Sequence, residues 1–271
     1  MKYVLWILLA ALAVLLCLVL AALIKTLLTP VKHSEFEPKA DPEREALYAE
    51  KLSKMVQYET VSRKDDIRLE RFLGFHKILE ELFPLVHKTL EKTEIDGNLI
   101  FYWKGKSSER PVILMGHQDV VAAEGKWEHE PFSGDICDGK IWGRGTADTK
   151  CSLMAFLQAA EELLAEGFVP AQDVYLCGSN TEEIGGEGAP KTVAELARRG
   201  VRPFLVCDEG GAIVREPLAG FSGCYAMIGV LEKGFGNVKV IARSSGGHSS
   251  TPSRNSPIAR LARFVCDIEA H

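Results

Sequence analysis

Three short apolar runs in this chain of 271 residues each lead into residues that bind metals or move protons. Val112 to Met115 runs into Gly116-His117-Gln118-Asp119, Val174 to Cys177 precedes Thr181-Glu182-Glu183, and Phe204 to Cys207 runs into Asp208-Glu209-Gly210-Gly211. A fourth acid, Asp148, lies in Gly143-Arg144-Gly145-Thr146-Ala147-Asp148-Thr149-Lys150, just before a helical pattern that opens at Cys151. Imidazole nitrogens and carboxylate oxygens are the donors that zinc and related ions take. The chemistry open to such a set is coordination of one or two ions, with a carboxylate left over to carry a proton.

The spacings sharpen that reading. His117 and Asp119 stand at i and i+2, so in an extended segment both project to the same side, where Asp119 can hold the imidazole and fix its tautomer. Glu182 and Glu183 are neighbours and point in opposed directions in extended chain, which suits one as a ligand and the other as a general base. Gly185-Gly186 and Gly188 crowd the same turn and allow a special backbone conformation there. Asp148, lying in sequence between these segments, has two oxygens with which to bridge ions roughly 3.5–4 Å apart. Each feature alone also has an ordinary explanation: H-x-D as polar surface, the Glu pair as solvated acids, Asp148 as a helix cap, Asp208 as a turn residue. With Asp148 bridging, His117 and Asp208 completing one ion and Glu183 serving the other, the second ion lacks a third protein ligand for the usual catalytic pattern. His33, His76, His87, His129 and His271 offer no obvious candidate.

The elements that must position these residues follow from periodicity. Short apolar runs at Asn98 to Trp103, Val112 to Met115, Val174 to Cys177 and Phe204 to Cys207 alternate with helical patterns at Cys151 to Glu166 and Lys191 to Arg199, which is the signature of an α/β sheet. Glu43 to Tyr58 and Ile67 to Phe83 read as surface helices, the first opened by Asp41-Pro42. In an open α/β sheet ligands bind at the carboxyl ends of the strands, so the three strand ends should meet in one crevice. Near Ala226 the pattern changes to strand-like Ala226 to Val230 and Val238 to Ala242, then a Gly-Gly-His-Ser-Ser loop and a helix from about Pro257. That change places a boundary between Phe221 and Gly234.

The amino-terminal segment carries a different message. Tyr3 through Ile24 is an uncharged apolar run of about 22 residues, close to the length that crosses a bilayer as a helix. It exceeds a signal-peptide core, and no clean small-residue cleavage site follows it. Residues 1–28 are therefore read as a membrane anchor and the proline-punctuated 29–41 as a tether. Lys2 flanks one end and Lys25 and Lys32 the other, so charge does not decide the orientation.

With 46% apolar and 25% charged residues the remainder is globular in composition. A net charge of -5 without any long basic run excludes the electrostatic footprint of a nucleic-acid binder. The seven cysteines are widely spaced and lack a C-x-x-C pair, which excludes a cysteine zinc knuckle.

The ordered motifs Met115-Gly116-His117-Gln118-Asp119-Val120-Val121, Trp127 to Pro131-Phe132, Gly143 to Lys150, Glu182-Glu183-Ile184-Gly185-Gly186, Asp208-Glu209-Gly210-Gly211 and Gly246-Gly247-His248-Ser249-Ser250-Thr251-Pro252 resemble the zinc aminoacylase, carboxypeptidase and dipeptidase family. Within it the chain is most similar to the Gly-X carboxypeptidase and N-acyl amino acid hydrolase branch, from about Asp41 onward. The resemblance implies a zinc-peptidase-like catalytic domain (42–227) whose mixed central sheet is flanked by helices, followed by the start of an α+β lid and dimerisation domain (228–271). It implies two zinc ions, replaceable by cobalt or manganese, with His117, Asp148, Glu183 and Asp208 as ligands, Asp148 bridging. It further implies Asp119 orienting His117, Glu182 as the base, and His248 reaching the substrate in the other copy of a homodimer. The implied reaction is hydrolysis of an amide beside a free carboxylate, in a peptide or an N-acyl amino acid, by an extracytoplasmic body. The family draws a last zinc ligand from a histidine beyond this chain's final residue, so a truncated chain is expected. The alternative is a noncatalytic membrane-tethered binding protein or an inactive fragment.

Overall fold

The computed structural model describes residues 2–30, 40–217, 219–220, 222–231, 234, 236–248, 250–251 and 254–271. They form two compact units, Met1–Cys207 and Asp208–His271. Most of the segment read as a tether lies outside the described residues, as do Phe221, Lys233, Ser249 and Pro252.

The first unit opens with α1 (Lys2–Leu28), apolar apart from Lys2, Lys25 and Thr26 and without a buried residue. It is long and apolar enough to cross a membrane by length and composition. Two helices follow, α2 (Pro42–Gln57) and α3 (Leu69–Leu82). Asp41 caps α2 by accepting from Arg44 N at 3.1 Å, and Pro42 occupies the first turn, where its missing N–H costs nothing. A short α4 (Pro84–Thr89) leads into β1 (Glu91–Ile95) and β2 (Asn98–Trp103). Then come β3 (Val112–His117), a small hairpin of β4 (Ile136–Cys137) and β5 (Lys140–Ile141), α5 (Cys151–Ala165), β6 (Val174–Ser179), α6 (Gly188–Arg198) and β7 (Leu205–Cys207).

The central sheet has the order β1-β2-β6-β3-β7. β3 runs parallel to both β6 and β7, while β2 is antiparallel to β1 and β6. The sheet is therefore mixed, and the three parallel strands β6, β3 and β7 present their carboxyl ends at one edge. One sheet face packs Leu99, Phe101 and Leu176 against Phe75, Leu79, Phe83, Leu153 and Leu157 from the helices. The other face packs Ile100, Ile113, Tyr175 and Cys177 with Leu196 of α6. Burial on both faces explains why β2 and β6 read as continuous apolar runs.

The second unit contains an antiparallel hairpin of β8 (Ala212–Arg215) and β9 (Cys224–Met227), in the register Ala212↔Met227 to Arg215↔Cys224. Its helix α7 (Pro257–Glu269) is capped by Ser256, whose hydroxyl accepts from Ala259 N at 3.2 Å. The strand expected at Val238 to Ala242 does not form among the described residues.

Candidate metal centre

His117 is the last residue of β3, its side chain 1% exposed. Its Nδ1 lies 2.7 Å from the backbone oxygen of Asp119, an acceptor, so Nδ1 carries a hydrogen and Nε2 is the nitrogen left to face outward. Nε2 sits 3.0 Å from Asp148 Oδ1 and 3.7 Å from Glu182 Oε2. An imidazole nitrogen and two carboxylate oxygens thus meet at the carboxyl edge of the parallel strands. The same-side geometry expected for His117 and Asp119 is present, with one difference. The 2.7 Å contact is made by the Asp119 backbone carbonyl, and its carboxylate Oδ1 is 3.5 Å from Nδ1.

The Asp119 carboxylate, fully buried, is occupied with a second task. It accepts from the backbone N–H groups of Glu182 at 3.1 Å and Glu183 at 3.2 Å, and from the Ser62 hydroxyl at 2.5 Å. One side chain therefore ties the end of β3 to the turn after β6. That turn is tight: Gly186 N bonds Thr181 O at 2.8 Å, and a Cβ on Gly186 would fall 2.6 Å from the Thr181 Cβ. The site requires glycine there because backbone and side chain already fill the space.

Asp148 is 74% exposed at its side chain and, with Thr149, departs from helical backbone angles (φ -124 and ψ 101 at Asp148) inside the turn Thr146–Lys150. The Asp148–Thr149 peptide is cis. The turn is anchored from beneath by Lys150, whose fully buried ammonium donates to Met55 O at 2.9 Å and Tyr58 O at 2.7 Å and lies 4.8 Å from the Phe75 ring centre. These carbonyls close the carboxyl end of α2, where a cation also meets the negative end of the helix dipole. Burial pulls the Lys150 pKa down to about 7.

Glu183 is half-buried, and burial first, then the charge of Asp148, push its carboxyl above the usual range, with His117 acting in the opposite sense. Burial of an acid among Asp148, Asp119 and Glu182 favours a cation between them. The donor set fits a metal ion: lone pairs of oxygen and one imidazole nitrogen converge, and that nitrogen's tautomer is fixed from behind. Asp208 directly follows β7 and opens the second unit, where its Oδ1 accepts from Glu209 N at 2.8 Å. His248 is exposed in the second unit, with Nδ1 2.8 Å from Ser250 Oγ.

Ser62, Lys150 and Gln118 support the site with no metal-ligand chemistry of their own to mark them in the sequence. Gln118 donates through its amide nitrogen to Gly97 O at 3.0 Å and Gly178 O at 2.8 Å, which leaves its oxygen facing His76 Nε2 at 2.8 Å. The other nitrogen of His76 meets Glu94 at 2.8 Å. The segment carrying His117 and Asp119 is thereby fixed from the side opposite Asp148 and Glu182. Only the alternation of His117, Gln118 and Asp119 along the chain hinted at it.

Comparison with known proteins gives the chain a family. Residues 113–264 match the profile of peptidase family M20/M25/M40. A probable carboxypeptidase S-like 2 of Dictyostelium discoideum is 39% identical over 232 residues, covering 82% of this chain and 45% of that protein. The N-fatty-acyl-amino acid synthase/hydrolase PM20D1.1 of Danio rerio is 38% identical over 244 residues, covering 87% and 47%. The chain thus spans about half the length of the curated relatives it matches. Among solved structures, human carnosine dipeptidase 1 superposes with a TM-score of 0.53 at 18% identity, over 64% of this chain and 40% of that one. That likeness concerns the fold. The match through both units and the identity to these relatives place the chain in peptidase family M20/M25/M40.

Proposed function

We propose that the protein is a metal-dependent hydrolase that cleaves an amide bond next to a free carboxylate, in a peptide or an N-acyl amino acid. The observation that carries this reading is the meeting of His117 Nε2 with Asp148 and Glu182 at one strand edge, in a chain of this family. Relatives named as carboxypeptidases and as N-fatty-acyl-amino acid synthase/hydrolases support both substrate classes.

Two zinc ions would be held here by His117, Asp148, Glu183 and Asp208. Bound metal supplies Lewis acidity, lowering the pKa of water and polarising the scissile carbonyl. Glu182 takes the proton from the attacking water and returns it to the leaving amine, while the water oxygen bonds to the carbonyl carbon and the C–N bond breaks. Asp119 holds the Glu182-Glu183 backbone and sets which way each carboxylate turns. Residues 1–28 serve as a membrane anchor, 29–41 as a tether and 42–227 as the catalytic domain, on the extracytoplasmic side. Residues 228–271 begin a lid and dimerisation domain in which His248 of one copy serves the substrate of the other.

The test is Glu182→Ala, assayed for metal content and for turnover against a panel of Gly-X dipeptides and N-acyl amino acids. The proposal expects turnover on one class to fall by at least about 100-fold with metal content unchanged. Equal loss of metal would remove Glu182 from the role of base. The panel on the wild-type chain separates peptide from N-acyl amino acid.

A further inference from the structure

Away from the metal centre, three side chains of other chemistry stand in line. His129 Nδ1 lies 2.8 Å from Asp135 Oδ2, and His129 Nε2 lies 3.8 Å from Cys137 Sγ. An ionised carboxylate only accepts, so Nδ1 carries the hydrogen and Nε2 turns its lone pair to the thiol. The ring is held flat against Trp142, with centroids 4.4 Å apart and planes at 25°. Asp135 is itself fixed: its N–H donates to Ser133 Oγ at 3.3 Å and its carbonyl accepts from Trp142 N at 2.8 Å. Cys137 sits on the β4–β5 hairpin, whose Asp138 and Gly139 adopt φ of 52° and 70°, the left-handed pair of a tight two-residue turn. That turn sets Lys140 directly across from Cys137, and the Lys140 ammonium lies 5.2 Å from the Trp142 ring centre. His129, backed by Asp135, faces the thiol, and Lys140 is the cross-strand neighbour of Cys137. An acid orienting an imidazole that faces a nucleophile is the arrangement that activates cysteine.

We propose that Asp135, His129 and Cys137 form a thiol-activating relay that makes Cys137 a site of modification by soft electrophiles, low-molecular-weight disulfides above all. The thiol proton passes to His129 Nε2, and the sulfur electron pair forms a bond to one sulfur of the disulfide. The other sulfur leaves as a thiolate, which takes up the proton. Nothing is oxidised or reduced beyond that exchange, and the product is a mixed disulfide on Cys137. The site stands independently of the metal centre and of the amide-hydrolase reading.

The chain supplies its own controls. Cys177 is buried, its thiol pushed up to about 12, so it stays unlabelled while the fold is intact. Cys266 is exposed on α7 and serves as the solvent-facing comparison. The experiment is iodoacetamide labelling of the full chain between pH 5.5 and 8.5, with the rate at each cysteine read by mass spectrometry, followed by glutathione disulfide at neutral pH. At pH 6.5 Cys137 is expected to alkylate at least about tenfold faster than Cys266, and to form the mixed disulfide first. His129→Gln and Asp135→Asn should each reduce that lead and move the Cys137 pH profile toward that of Cys266, with Cys177 still protected. Should His129→Gln expose Cys177, Asp135→Asn alone decides the matter. A Cys137 rate equal to or below that of Cys266, or a lead unaltered in the folded variants, overturns the proposal.

Discussion

A carboxylate that accepts three hydrogen bonds can no longer be spared, and Asp119 is in that position. Its oxygens hold Ser62 and two consecutive backbone N–H groups, and these place Glu182 and Glu183 relative to His117. Asp119→Asn keeps the volume but turns an amide N–H toward groups that are themselves donors. Metal affinity, measured by competition with a chromogenic chelator, is expected to fall about 10–100-fold, the usual cost of losing an outer-shell partner. An unchanged affinity would mean that the Glu182-Glu183 turn is held by other means. At this scale the sequence was readable where residue type carries the chemistry: His117, Asp148 and the Glu pair stand out by what they are. Ser62 was not, because a hydroxyl in Thr60-Val61-Ser62 announces nothing until the fold brings it beside Asp119. The backbone contact from Asp119 to His117 was equally out of reach, since i and i+2 spacing shows the side but not the atom.

The elements decide how rigidly those groups are held, and Lys150 is the clearest case. Its ammonium spans from the Asp148 turn to the end of α2. Lys150→Met removes the donor and leaves two carbonyls unsatisfied, a loss of about 1–3 kcal/mol for each that stays buried. The pH dependence carries the same signature. With the folded pKa near 7 and the ordinary value at 10.5, the unfolded chain binds the extra proton between those limits. Stability therefore rises with pH across that window in the wild type, and denaturant midpoints taken from pH 7 to 10 should show this component vanish in Lys150→Met. A parallel pH dependence in both proteins would contradict it. Strands buried on both faces were legible from their apolar runs, as Asn98 to Trp103 shows by matching β2 at both ends. β1 was not, because Glu91–Ile95 is an edge strand whose residues are mostly exposed and polar. The segment from Val238 to Ala242 has strand-like composition, but composition supplies no pairing partner, and among the described residues none is formed.

For the whole molecule, the relation between α1 and the rest is a question of solvent. A helix of 27 residues rises about 40 Å, more than the roughly 30 Å hydrocarbon core of a bilayer, and its apolar residues face every direction. Removal of residues 2–28 is expected to shift the protein from the vesicle fraction to the soluble fraction in a flotation assay. Retention with vesicles would place the membrane contact elsewhere. Family membership was legible from the ordered motifs, because each lies where a strand or loop must present it. Substrate choice was not: the groups that would bind an acyl chain or a peptide carry no comparable spacing signal.

The central claim is that His117, Asp148 and Glu183 hold metal, and it is tested most directly by titrating the metal-stripped chain with zinc. Wild-type protein is expected to show saturable binding, and His117→Ala and Asp148→Ala are each expected to weaken it by at least about tenfold while leaving the fold intact. Saturable binding of equal strength in both variants, or none in the wild type, would contradict the account.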